Sequence, residues 1–381
     1  MDSVTSDEAY QDQILPHVSR TFALTIPQLP PGLRQAVTSA YLLCRIADTI
    51  EDEPALSPSE TLDFLQRFTA VVAGTAPPAP LAHDLDQRLG DRTLPTERDL
   101  VRNMERVINA TARLGDAQRA AIQRCVELMC FGMPRFQFTA SLKGLARCSD
   151  LDDYCYYVAG VVGEMLTDLF CDYSPDIARN RRALNVVAAS FAQGLQMTNI
   201  LKDVWEDRSR GVSWLPQEVF TAHGVDLALV NSTPFDARYG AGFRELVGVA
   251  HAHLRNALEY TLLIPPKEEG IRRFCLWAIG LAVLTLRKID RNPRFTAGAE
   301  VKITRRAVAM TRLLANAAVR HDWILRRLFA QAARGLPLAS VTAVHPSRQA
   351  RTAAGESETA GDSSNHAPTP GLQRSYGNSG T

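Results

Sequence analysis

The sequence predicts an all-α protein, and two features of the chain carry this prediction. Apolar residues recur at helical spacing, with short breaks, from residue 14 to about residue 341, while the alternating pattern of β-strands is nearly absent. Polar residues inside these apolar segments also recur three and four positions apart, the spacing at which side chains share one helix face. We therefore expect a bundle of helices that carries polar stripes in its interior.

The chain divides into three segments. Residues 1–13 are polar and acidic and lack the apolar stretch of a signal peptide. We expect this segment to be frayed. Residues 14–341 form the predicted domain. Residues 342–381 are rich in Ser, Gly, Thr, Pro and Ala, a composition that predicts a disordered tail. The most apolar stretch, residues 274–286, is shorter than the about 20 residues of a membrane span, so it predicts a buried helix, with an interfacial helix as the alternative.

The composition excludes some function classes. The chain is 46% hydrophobic and 22% charged with a formal net charge of +1, which gives no electrostatic reason to bind nucleic acid. Seven cysteines without C-x-x-C or His/Cys ligand spacing indicate reduced thiols in a cytoplasmic protein. We expect a monomer, with peripheral membrane contact as an open possibility.

Two acidic clusters of the form D-x-x-E-D indicate the chemistry. The first is Asp48-Thr49-Ile50-Glu51-Asp52 and the second is Asp203-Val204-Trp205-Glu206-Asp207. On a helix, the carboxylates of each cluster project together. Mg²⁺ prefers oxygen ligands and usually joins a few carboxylates to substrate phosphates. Two such clusters facing one cavity predict a site that holds a diphosphate through metal ions, with Asp48, Asp52, Asp203 and Asp207 as metal ligands.

The residues before each cluster extend these polar stripes. Tyr41 and Arg45 share a helix face with the first cluster, and Gln196 and Asn199 share one with the second. Buried polar groups must be paired, and metal ions with a diphosphate would pair them. Arg20, Arg45 and Lys202 are candidates to bind diphosphate oxygens directly. The alternatives are that Arg45 pairs with Glu51 or Asp52, that Lys202 lies on a solvated helix end, and that Glu51 and Glu206 are not ligands.

Four ordered motifs of the chain, together with a segment that follows the last of them, resemble the squalene/phytoene synthase family of head-to-head prenyl synthases. The resemblance covers residues 14 to 335 and includes both acidic clusters with their flanks. The segments are Ser19-Arg20-Thr21-Phe22, Tyr41 to Asp52, Tyr154-Cys155-Tyr156-Tyr157-Val158-Ala159-Gly160-Val161-Val162-Gly163, Gln196 to Asp207, and Trp214-Leu215-Pro216-Gln217-Glu218-Val219.

The resemblance implies a class I isoprenoid synthase helical bundle with a central cavity, a prenyl diphosphate substrate, and Mg²⁺ and NADPH as cofactors. It implies catalytic roles for Tyr154, Tyr41 and Phe274, and an NADPH contact for Lys302. Aromatic faces at such positions stabilise carbocations through their quadrupoles. The residues that it implies for substrate binding are Ser19, Arg20, Phe22, Arg45, Gln196, Asn199 and Lys202.

The expected reaction is the condensation of two farnesyl diphosphates to presqualene diphosphate, followed by NADPH-dependent reduction to squalene. Tyr156, residues 276–280 and Thr304 depart from the pattern of the squalene-forming members. Two enzymatic alternatives therefore stay open: an enzyme that stops at presqualene diphosphate, and a phytoene-type synthase that uses geranylgeranyl diphosphate. A third hypothesis, a helical scaffold without activity, is disfavoured because both acidic clusters are intact.

Overall fold

The computed structural model describes residues 6–19, 21–232 and 235–341. This part of the chain is built from α-helices and contains no β-strand, which confirms the predicted all-α class. The helices are α1 Asp7–Val18, α2 Phe22–Thr25, α3 Pro31–Glu51, α4 Pro58–Val72, α5 Pro78–Arg88, α6 Pro95–Arg102, α7 Met104–Ala112, α8 Asp116–Gly132, α9 Pro134–Gln137, α10 Cys148–Cys155, α11 Val161–Tyr173, α12 Pro175–Ala178, α13 Arg181–Lys202, α14 Val204–Ser209, α15 Gln217–Ala222, α16 Ala237–Leu263, α17 Glu269–Arg291, α18 Gly298–Val301, α19 Arg305–Ala318 and α20 Asp322–Ala332.

Helix α13 lies at the centre of the bundle and packs against α11, α16 and α17. Glycines allow two of these close approaches. A Cβ at Gly163 would collide with the carbonyl oxygen of Ala188 on α13, and a Cβ at Gly194 would lie 3.0 Å from the backbone nitrogen of Leu254 on α16. Glycine at these two positions therefore permits the helix backbones to lie closer together than any larger residue would.

The two helices that carry the acidic clusters end at those clusters. Helix α3 starts with Pro31, whose fixed φ suits the first helical position, and it ends at Glu51 with Asp52 as the C-cap. Helix α13 ends at Lys202 with Asp203 as its C-cap, and α14 begins at Val204, directly after Asp203. The second cluster therefore spans a break between two helices rather than one continuous helix.

The first segment differs from the prediction. Residues 7–13 are not frayed, because they belong to α1, which buries Tyr10, Gln11, Ile14 and Leu15 against the domain. The side chain of Ser6 caps this helix by accepting a hydrogen bond from the backbone nitrogen of Ala9 at 3.2 Å. The predicted disordered tail, residues 342–381, lies outside the described residues.

Residues 274–286 lie within α17, and most of their side chains are buried, including Phe274, Cys275 and Trp277. This confirms the predicted core helix and argues against an interfacial position for this segment. Across the described ranges, none of the helices combines the length and hydropathy that a membrane span requires. All seven cysteines are unpaired.

Candidate active site

A cavity of about 750 Å³ opens at the ends of α3 and α13 and extends into the bundle. Its mouth carries both acidic clusters, and its body is apolar, lined by residues such as Met129, Val158, Val162, Met165 and Leu166. Twelve of the predicted site residues line this cavity. They are Phe22, Tyr41, Arg45, Asp48, Asp52, Tyr154, Gln196, Asn199, Lys202, Asp203, Asp207 and Phe274.

Carboxylates of the first cluster lie at the C-terminal end of α3, where the helix dipole is negative and disfavours anions. Burial raises the pKa of Asp48 to about 7, and the nearby Arg45 guanidinium only partly opposes this. Glu51 is 7% exposed, and its Oε1 atom has no hydrogen-bond partner in the described structure. The cluster therefore needs more positive charge than the surrounding side chains supply.

Arg45 is held by a residue that the sequence reasoning missed. Its Nη2 atom donates a hydrogen bond to Oε1 of Glu97 on α6, and its Nη1 atom lies 3.9 Å from Oδ2 of Asp48. Arg45 thus lines the cavity and pairs with Glu97, rather than with Glu51 or Asp52. No pattern in the sequence connects Arg45 to a glutamate 52 positions away.

The second cluster has fixed partners of its own. Lys202 Nζ lies 2.8 Å from Oδ2 of Asp203, so this lysine already neutralises the first aspartate of the cluster. The backbone nitrogen of Gly298 on α18 donates a hydrogen bond of 2.8 Å to Oε1 of Glu206. Glu206 therefore anchors α18 next to the cavity, which it also lines.

Arg210 joins the two clusters. Its Nη2 atom donates a hydrogen bond to Oδ1 of Asp207, and its Nη1 atom lies 3.9 Å from Oδ1 of Asp52. Burial raises the pKa of Asp207 to about 6, although the hydrogen bond from Arg210 opposes this shift. The sequence reasoning missed Arg210, and the available signal was its position three residues after Asp207, a spacing that pairs side chains on helices.

Aromatic rings form one wall of the cavity. The Phe22 ring lies 5.2 Å from the Tyr41 ring and 6.4 Å from the Phe274 ring, measured between centroids. The Tyr41 hydroxyl donates a hydrogen bond of 2.9 Å to the carbonyl oxygen of Val18, which fixes the ring. Tyr41 therefore contributes a fixed ring to the wall while its hydroxyl is already occupied.

Tyr154 lies in a second aromatic group at the cavity. Its ring stacks on Trp214 with a centroid distance of 4.1 Å and meets the edge of Phe136 at 5.3 Å. Burial holds the pKa of Tyr154 well above its usual range, so its hydroxyl stays protonated at neutral pH. Trp214 also lines the cavity, a position that the sequence reasoning did not assign to it.

Two predicted site residues that the structure describes, Ser19 and Lys302, are not among the residues that line the cavity. The Ser19 hydroxyl accepts a hydrogen bond of 3.0 Å from the backbone nitrogen of Phe22 and so shapes the start of α2. Lys302 is exposed, and its carbonyl oxygen accepts a hydrogen bond from Lys288 Nζ at 2.6 Å. Arg20 lies outside the described residues. The structure therefore gives Ser19 a local structural contact and leaves Lys302 at the surface.

The donor set at the mouth fits magnesium bound together with a diphosphate. In the described ranges, no three His, Cys, Asp or Glu side chains converge as a complete metal-ligand set. Mg²⁺ is usually held by one or two carboxylates plus substrate phosphates, so an incomplete carboxylate set is what such a site requires. The unpartnered Glu51 oxygen and the carboxylates at the negative end of α3 add the need for cations.

A family model described as squalene/phytoene synthase matches residues 15–307 of the chain. The chain belongs to the squalene/phytoene synthase family. Among the curated members of this family, a squalene synthase of Candida albicans is 30% identical over 299 residues, and one of Eremothecium gossypii is 31% identical over 288 residues. The matches cover 75% and 74% of this chain and, in both cases, 62% of the relative. The chain therefore spans less than two thirds of the length of these relatives.

Solved structures of the family share the fold. The structure of TcSQS with the ligand BPH1237 has a TM-score of 0.68 and 25% identity, and the match covers 87% of this chain and 98% of that one. A dehydrosqualene synthase in complex with a ligand has a TM-score of 0.60 at 21% identity, covering 82% of this chain and 96% of that one. The predicted isoprenoid synthase bundle is confirmed.

Proposed function

We propose that this protein joins two farnesyl diphosphates head to head to form presqualene diphosphate and reduces this intermediate to squalene with NADPH. One observation carries the proposal: two D-x-x-E-D clusters meet across the Arg210 guanidinium at the mouth of a cavity with an apolar and aromatic body. An acidic mouth suits metal-bound diphosphates, and an apolar body suits prenyl chains. The named activity of the squalene synthase relatives supports the same reaction.

The mouth of the cavity would bind and activate the diphosphates. Asp48, Asp52, Asp203 and Asp207 would hold Mg²⁺, which supplies Lewis-acid polarisation of the diphosphate oxygens when it is bound. Arg45, Arg210 and Lys202 would donate charge-assisted hydrogen bonds to the same oxygens. Further substrate contacts from Gln196, Asn199, Ser19 and Arg20 are part of the proposal.

The body of the cavity would stabilise the carbocation and shield it from water. Breaking the C1–O bond lets diphosphate leave with the electron pair, and the 2,3-double bond of the second substrate attacks the resulting allylic cation. Loss of a proton then closes a cyclopropane. The faces of Phe22, Tyr41 and Phe274 would stabilise the cation, and Tyr154 would assist the proton transfer. The apolar walls exclude the water that would quench the cation.

A second candidate function is a synthase that ends at presqualene diphosphate. Lys302, the residue proposed to contact NADPH, is exposed and is not among the residues that line the cavity. If Lys302 contacts NADPH, the cofactor must reach the cavity from the surface beside α18, whose Gly298 contacts Glu206 at the mouth. The reductive half-reaction requires that route, and the condensation does not.

Product analysis tests the proposal. Purified protein is incubated with labelled farnesyl diphosphate and Mg²⁺, with and without NADPH. Squalene with NADPH, and presqualene diphosphate or its alcohols without it, is the expected outcome. Presqualene diphosphate as the sole product at saturating NADPH would select the second candidate. Phytoene from geranylgeranyl diphosphate, with no product from farnesyl diphosphate, would overturn both.

The proposal also covers the oligomeric state and the cellular location of the protein. We propose a cytoplasmic monomer that can contact a membrane surface. Gel filtration with light scattering and fractionation of cell extracts test these statements. A stable oligomer or an exclusively integral membrane fraction would contradict them.

A further inference from the structure

Helices α19 and α20, near the end of the described chain, carry large apolar side chains that are exposed to solvent. Met310, Leu313 and Leu314 on α19 are 47%, 62% and 43% exposed, and Trp323 on α20 is 64% exposed. Residues 310, 313 and 314 are spaced three and four apart and share one helix face. We call these four residues the α19–α20 face. A cluster of large exposed apolar side chains marks an interaction site more often than isolated ones do.

The inward sides of both helices are already packed. Ala315, Ala318 and Leu325 join a small hydrophobic cluster with Leu258 and Trp277. The four exposed apolar residues are therefore not needed to fill the core of the domain. Incomplete packing of α19 and α20 does not explain why they are apolar.

The junction between α19 and α20 is fixed from inside. The fully buried Arg272 of α17 donates hydrogen bonds to the carbonyl oxygen of Val319 and to Oδ1 of Asp322, both at 2.8 Å. These bonds hold the end of α19 and the start of α20 on one anchor. The α19–α20 face is therefore presented by a rigid support.

The surroundings of the face are strongly basic. Residues 304–341 contain seven arginines and one acidic residue, Asp322, which is paired with Arg272, while Arg320 and Arg326 are paired with Glu269 and Glu259 of neighbouring helices. Arg306 lies one helical turn before Met310, and Arg327 lies one turn after Trp323, so each arginine shares a helix face with the apolar residue. Both are exposed and have no ion-pair partner within the described ranges.

We propose that the α19–α20 face binds the surface of an anionic lipid bilayer. Exposed apolar side chains on two adjoining helices, with arginines one turn away on the same helices, match the pattern of helices that lie in the headgroup region. In that position the apolar groups enter the boundary while the guanidinium groups pair with lipid phosphates. A two-fold interface between copies of the chain would instead bring the same arginines together without free carboxylates to balance them. The charge therefore favours a bilayer as the occupant.

Vesicle sedimentation of the full chain tests this proposal. We expect binding to phosphatidylcholine vesicles that contain phosphatidylglycerol, weaker binding at high salt, and little binding to pure phosphatidylcholine. Replacing both apolar anchors (Leu313→Ser with Trp323→Ser) should weaken binding by about tenfold or more. Reversing both charges (Arg306→Glu with Arg327→Glu) should remove the preference for anionic lipid.

A matched control lies on α13. Arg182 and Val186 are also exposed and four residues apart, and Val186 is 43% exposed. The double variant Arg182→Glu with Val186→Ser should bind vesicles like the unmodified protein. Equal loss in this control would show that any exposed charge reversal suffices, and it would overturn the assignment of the face.

Trp323 offers a direct reporter. Its fluorescence should shift to shorter wavelength when anionic vesicles are added, and Trp323→Phe should keep binding but lose this shift. Equal binding to neutral and anionic vesicles, no binding, or a stable dimer that Leu313→Ser dissociates would each overturn the proposal. None of these readouts depends on turnover, so the test is independent of the proposed reaction.

Discussion

The guanidinium of Arg210 lies 3.9 Å from a carboxylate oxygen of Asp52 while it donates a hydrogen bond to Asp207. One side chain thus neutralises the last aspartate of each acidic cluster. Under the proposed function, metal ions bound by both aspartates would compete with this arginine for the same oxygens. We infer that Arg210 balances the clusters before the substrate arrives and then pairs with its diphosphate.

Replacing Arg210 tests this dual role. Arg210→Gln should lower kcat with farnesyl diphosphate by about 10²-fold, the loss that follows removal of one preorganised charge donor. The same variant should bind Mg²⁺ more tightly without substrate, since the carboxylates lose a competing cation. Calorimetry and turnover measure both effects. Arg179→Gln, which breaks a surface pair with Asp176, is the control that should change neither. Weaker Mg²⁺ binding in Arg210→Gln would contradict the inference.

Loss of one metal-binding aspartate should abolish turnover. Asp48→Ala or Asp203→Ala removes a ligand from one cluster, and the ionisation barrier should rise by several kcal/mol, or about 10³-fold or more in rate. Circular dichroism should show an unchanged helical fold. Asp63→Ala, at a carboxylate that is 64% exposed on α4, is the matched control. Turnover near that of the unmodified protein in either alanine variant would disprove the metal-clamp role.

The aromatic wall can be tested without emptying the core. Phe274 is 1% exposed, so Phe274→Ala would cost about 3–5 kcal/mol of stability and confuse the result. Phe274→Leu keeps an apolar side chain and removes the π-face, with a stability cost of about 1.5 kcal/mol or less. We expect a lower yield of squalene, with a smaller drop in melting temperature than Phe274→Ala would cause. Full activity of this variant would argue against cation stabilisation by Phe274.

The reductive step has its own test at Lys302. Lys302→Ala should raise the apparent KM for NADPH, because a phosphate-bearing cofactor needs a cationic partner. The first condensation, measured without NADPH, should stay unchanged. Lys288→Ala is an informative control, since its ammonium group contacts the carbonyl oxygen of Lys302. An unchanged KM in Lys302→Ala would remove this residue from the cofactor site.

Buried Arg272 provides a stability prediction. Arg272→Met should destabilise the domain by about 3–5 kcal/mol, because it leaves carbonyl oxygens and Asp322 without their donor. The neighbouring Arg273→Met removes only a partly exposed pair with Glu269 and should cost about 1 kcal/mol or less. Denaturant unfolding measures both values. Equal effects would show that the Arg272 network does not hold the C-terminal helices.

The sequence by itself determined the helical class, the position of both acidic clusters and the polar residues that share their faces. These features depend on spacing along short stretches of helical backbone, and the break at Asp203 between α13 and α14 does not remove the second cluster from the cavity. Tyr41, Asp48, Gln196 and Asn199 therefore line the cavity where the spacing predicted a common site. The burial of residues 274–286 followed from their apolar character in the same way.

Only the tertiary structure decided which distant groups meet. Glu97 holds Arg45 because α6 packs beside α3, and Trp214 stacks on Tyr154 from a segment 60 positions later in the chain. The same packing leaves Lys302 outside the cavity and makes residues 7–13 part of α1, which buries Tyr10 and Gln11 against the domain. Contacts between separate helices depend on how whole helices pack against one another, and no local spacing rule encodes that arrangement.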